Sequence, residues 1–144
     1  MSSAPLKLSA KDSEDICIVS AVLQDSIVPV CDMVWQPEDQ SFILVPQRLR
    51  RENGDQTKPD RICCAVHVRG VEAAQTHGLD LTDQERMLDL LMLSLDGSTL
   101  HFIFADHVEI RLKLGTWSLI VEDFGESWPT ACTPCHESST ASRT

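Results

Sequence analysis

Apolar positions change period along the chain, and each change marks an element. From Ser13 to Ser26 the residues Ile16, Val19, Leu23 and then Ile27, with Ser20, follow the 3, 4, 7 spacing of one buried helical stripe. Ser9 or Asp12 can cap that helix, and Asp12, Glu14 and Asp15 favour the positive end of its dipole. A strand is predicted from Val28 to Trp35, a polar turn from Gln36 to Gln40, and a returning strand starting with Phe42–Val45. Pro46 has no backbone donor, so that strand lies at an edge or bulges there. Residues 52–59 read as a loop. Arg61 to Val71 then alternates: Ile62, Cys64, Val66 and Val68 share one face, and Arg61, Cys63, Ala65, His67 and Arg69 the other.

Glu72 to Glu85 is polar and reads as the longest connection. Met87 to Leu95 fits either period, but Asp96-Gly97 is a hairpin signal and decides for a strand from about Leu88. Leu100, Phe102 and Phe104 alternate, as do Val108, Ile110, Leu112 and Leu114. At the end Trp117, Ile120, Val121 and Phe124 sit at i, i+3, i+4 and i+7, which predicts a helix over Thr116–Phe124 with Gly125 at C′. The expected fold class is α+β. Six mostly antiparallel strands form a curled sheet or partly open barrel, with an N-terminal and a C-terminal helix packed on it; a pleckstrin-homology-like arrangement is one such solution. Residues 1–8 read as an arm, 9–129 as a single domain and 130–144 as a disordered Ser/Thr-rich tail.

Five stretches carry a family resemblance: Ser20–Asp25, Phe42–Leu44 through Arg48–Glu52, Leu88–Leu93, Phe104–Leu112, and Asp123–Gly125 through Trp128. On them the chain resembles a family of small bacterial proteins defined only as a domain of unknown function. The resemblance spans about residues 6 to 136 and implies one fold; it implies no activity.

The net charge of −10 makes nucleic acid and anionic membranes unfavourable partners. Only residues 48–61 run the other way, at +2. The N-terminus lacks an apolar signal core, so the cytoplasm is the expected compartment and the six cysteines are expected to be thiols.

The chemical motifs are weak. Cys132-Thr133-Pro134-Cys135-His136 matches the haem-attachment pattern, but it lies in the tail and no export signal precedes it. Cys132, Cys135 and His136 could also supply three zinc ligands, where a structural site needs four. No cofactor is expected. His67 with Arg69 and Arg61 on one strand face could hold an anion. Gln24 and Asp25 place polar groups, one acidic, at a helix C-terminus, Arg48 lies in the basic segment, and Trp128 flanks a turn. These seven are the candidate ligand- or partner-binding residues, and no catalytic set converges among them. Two readings stay open. One is a non-catalytic binding or interaction domain for a protein or small anionic ligand, including a homo-oligomer. The other is a small enzyme or metal-binding protein with a site around His67, Arg69 and a carboxylate.

Overall fold

Asp12 leaves an extended stretch at φ −147°, and its carboxylate accepts from the Asp15 amide at 2.9 Å, which starts α1 (Ser13–Leu23). The helix stops at Leu23 because Gln24 takes ψ 134° and Asp25 takes a left-handed φ of 68°. Ile16, Val19 and Leu23 are buried, and Ser20 Oγ accepts from the Leu93 amide at 2.9 Å, tying α1 to the sheet. The computed structural model describes residues 6–49, 60–124 and 128–129. The expected tail lies outside them.

Ten strands accompany this helix among the described residues. They are β1 (Lys7–Ala10), β2 (Ser26–Pro29), β3 (Met33–Gln36), β4 (Ser41–Leu44), β5 (Gln47–Leu49), β6 (Asp60–His77), β7 (Met87–Asp96), β8 (Thr99–Phe104), β9 (Val108–Asp123) and β10 (Trp128–Pro129). Lys7 and Leu8, within the expected arm, pair with Glu122 and Val121 of β9. The single strand expected over Val28–Trp35 is two, divided by a 3-10 turn at Val30–Asp32. Its halves go to different neighbours, β2 to β7 and β5, β3 to β4.

Every pairing is antiparallel. The order runs β1-β9-β8-β7-β2-β5-β6-β4-β3, and β6 also pairs with β9. The strands β9, β8, β7, β2, β5 and β6 therefore close a six-stranded barrel. Most of its perimeter is continuous ladder, but β2 meets β5 through one pair, Ile27–Gln47. The interior is filled by alternate residues, among them Val66, Val68, Leu90, Phe102, Ile110, Leu112, Leu119 and Val121, and Phe42 meets Phe102 at 6.3 Å between ring centroids.

The expected α+β fold with two helices is overturned here. Thr116–Asp123 is the second half of β9, so no C-terminal helix closes the sheet, and the pleckstrin-homology-like arrangement goes with it. The cause is a change of parity. Val108, Ile110, Leu112 and Leu114 point inward, and past Gly115 the inward residues are Leu119, Val121 and Asp123. The opposing strand is irregular at the same level, with register shifts between Arg69 and Val71 and between Val71 and Ala73. Extra residues of this kind move every later side chain to the other face. Gly70 makes the bend possible: its φ is +83°, and a Cβ there would lie 2.0 Å from the Thr116 carbonyl oxygen. Likewise Glu72–His77, expected as loop, extends β6, because the first half of β9 pairs with it as far as His77–Glu109.

Candidate functional site

Two buried charges occupy the inward face where β5, β6 and β9 meet. Arg48 stands opposite Ile62 and Asp123 opposite Cys64, so both reach the interior from strands on either side of β6. Arg48 is 1% and Asp123 7% exposed. The guanidinium donates from Nε to Oδ1 at 2.9 Å and from Nη2 to Oδ2 at 2.7 Å, and from Nη1 to the Leu49 carbonyl at 3.1 Å. The Leu6 amide donates to Asp123 Oδ2 at 2.9 Å. Burial pushes the adjacent Cys64 thiol up to about 12, with Asp123 adding to the rise and Arg48 opposing it. A neutral, enclosed thiol is a poor nucleophile. The group is a structural clamp.

Beside it, the seam of the barrel collects four more of the residues singled out from sequence. Gln24 and Asp25 make the turn from α1 into β2, and the Asp25 amide donates to the Leu90 carbonyl at 2.8 Å. Arg61 Nη1 donates to the carbonyls of Asp25 at 3.2 Å and Gln47 at 2.9 Å, so its side chain bridges β2 and β5 where the ladder between them is thinnest. The Trp128 backbone pairs with Arg61.

His67 and Arg69 lie elsewhere on the outer face of β6. At ~3.3 Å per residue, His67 is about 20 Å from Arg61, so the three do not form one anion site. His67 Nε2 is 3.1 Å from Ser41 Oγ. Partial burial, helped by Arg69, lowers its pKa below the usual imidazole value. Cys17, Cys31 and Cys64 are thiols, whereas Cys63 is disulfide-bonded, which corrects the expectation of six thiols. Cys132, Cys135 and His136 lie outside the described residues. Among the described residues no three His, Cys, Asp or Glu side chains are grouped to hold a metal ion.

Three depressions lined by described residues lie beyond the Gly70 bend, on the outer face of β6, β9, β8 and β7. Cross-strand partners form two rows there: Gln75–Arg111–His101–Ser94 and His77–Glu109–Ile103–Met92. Glu109 joins them. Its carboxylate accepts from Arg111 Nε at 3.1 Å and Nη2 at 3.3 Å and is hydrogen-bonded to His101 Nδ1. These contacts, Arg111 first and His101 second, hold the Glu109 carboxyl below the usual range, and Glu109 raises Arg111 in return.

Three depressions share Arg111. One of about 320 Å³ lies against Gln75, Thr76 and His77. A second, of about 360 Å³, runs over Ala73 and Thr99 between Arg111 and Lys113. The third, of about 660 Å³, adds the apolar Leu91, Ile103 and Ala105. Sequence reasoning passed over Arg111 because Glu109, Arg111 and Lys113 look like the solvated side of a half-buried strand. It missed His77 because Glu72–Glu85 looked like a loop. A cation flanked by polar β-partners on both sides was the available signal, and it needs the register to be seen.

The chain belongs to the family described as Protein of unknown function (DUF2948), whose model matches residues 6–136. No curated protein and no solved structure matches it. No helix among the described residues is long and apolar enough to cross a membrane.

Proposed function

We propose that this chain is a non-catalytic binding domain whose recognition surface is the outer face of β6, β8 and β9, centred on Arg111. The observation behind this reading is that all three depressions converge on one guanidinium, with 52% of its side chain exposed and its orientation set by Glu109. The neighbouring groups suit recognition: imidazoles, an amide and a hydroxyl beside an apolar patch.

The test is a screen of small metabolites and short peptides against the full-length chain, read by backbone amide shifts. Binding is expected to map to Thr99–Lys113 and Ala73–His77 and to be lost in Arg111→Ala. Hits that map instead to His67 and Arg69 would favour an enzyme or metal-binding protein built there, and the present reading would be withdrawn.

A further inference from the structure

We infer that the depression between Arg111 and Lys113 binds a small organic anion through a carboxylate or phosphoryl group, in competition with the carboxylate of Glu109. This rests on the reading above and names the ligand class for that surface. Lys113 stands between Thr99 on β8 and Ala73 on β6, both short, while Arg111 in the next row stands between His101 and Gln75. Long cationic side chains over a floor of short ones leave the space of about 360 Å³, at the small end of ligand sites, roughly 300–1,000 Å³. The two cations are two residues apart on one face, about 7 Å along the strand, a span that one carboxylate or phosphoryl group can bridge. Asp96 lines the same space and supplies an acceptor, so the fitting ligand also carries a hydroxyl or ammonium group.

Glu109 is the internal rival. It holds Arg111 at 3.1 and 3.3 Å, longer than the ~2.7–2.9 Å of a strong charge-assisted bond. A ligand oxygen that makes the shorter bonds can therefore displace it. The displaced carboxylate is not orphaned, because His101 still holds it through Nδ1. The ligand-free state is thus self-complementary, and the anion must outbid a tethered group of the same kind.

Inorganic phosphate, succinate and phosphoethanolamine, titrated separately into the isotope-labelled full chain, separate phosphoryl from carboxylate recognition and expose any role of the ammonium group. At least one should give saturable amide shifts at Thr99, His101, Arg111 and Lys113. Glu109→Gln should tighten that binding by about 3-fold or more, and Arg111→Ala or Lys113→Ala should weaken it by about 10-fold. Thermal midpoints check that each variant is folded. The inference fails if no probe saturates in either the wild type or Glu109→Gln, or if Glu109→Gln weakens binding. A neutral or cationic ligand found at Arg111 in the broader screen would sink it while leaving the binding surface itself intact.

Discussion

Arg48 and Asp123 grip each other from opposite sides of a third strand, two hydrogen bonds of 2.9 and 2.7 Å passing between residues paired with Ile62 and Cys64. Removing either partner strands a buried charge. Arg48→Met and Asp123→Asn should therefore each cost about 3–5 kcal/mol in urea titrations, a large part of the ~5–15 kcal/mol that holds a domain of this size. Replacing both, as Arg48→Met with Asp123→Leu, should cost less than the sum of the single changes. Single variants within about 0.5 kcal/mol of the wild type would show the pair is dispensable.

Cys64 carries an alkaline signature. Its thiol is held at about 12 in the native chain, against ~8.5 when unfolded. Between those values the unfolded chain has lost a proton that the native one keeps, so stability falls as pH rises. From pH 8 to pH 10 the wild type should lose about 2 kcal/mol more than Cys64→Ala. Equal losses would mean that the thiol is not enclosed.

His67 has the opposite sign. Its pKa is lowered by burial and by Arg69, so its contribution is present above the unfolded value of ~6.5 and is lost as pH falls through the folded one. His67→Gln should flatten the loss of thermal midpoint from pH 7 to pH 5. Arg69→Ala should flatten it in part. An unchanged slope in His67→Gln would place the acid sensitivity elsewhere.

Two glycines with left-handed backbone should respond differently to a methyl group. At Gly97, φ is +61° and no atom lies within 4 Å of an added Cβ, so Gly97→Ala should cost about 1–2 kcal/mol from backbone strain alone. At Gly70 the Thr116 carbonyl stands in the way. Gly70→Ala should cost about 3 kcal/mol or more, because β6 and β9 must separate. Similar losses in the two variants would show that the bend is soft.

The sequence was legible where one period held. Ile16, Val19 and Leu23 of α1, the hairpin signalled by Asp96-Gly97 and the Val108–Leu114 alternation appear in the fold, although α1 ends at Leu23 with Ile27 on β2, and the hairpin loop is Gly97-Ser98. It misled where parity broke: Trp117, Ile120, Val121 and Phe124 keep helical spacing, but Leu119, Val121 and Asp123 are what the barrel buries. Arg48 looked like part of a surface patch because a buried arginine shows itself only through its partner, 75 residues away. The groove was hidden for the same reason, since β6 had to be followed past two register shifts before His77 could be set beside Glu109.

Closure through Ile27–Gln47 alone has a mechanical consequence. The barrel is a curled ribbon fastened by a clasp, and opening the clasp sacrifices one ladder pair and the Arg61 hydrogen bond to the Asp25 carbonyl, whereas parting β6 from β9 sacrifices a ladder from Cys64 to His77. Local openings follow the weakest joint. Hydrogen–deuterium exchange at the seam should accordingly run through a slit-like fluctuation that leaves the wall opposite intact, and Arg61→Ala should speed exchange at the seam while amides near Val66 and Val121 keep the protection set by global unfolding.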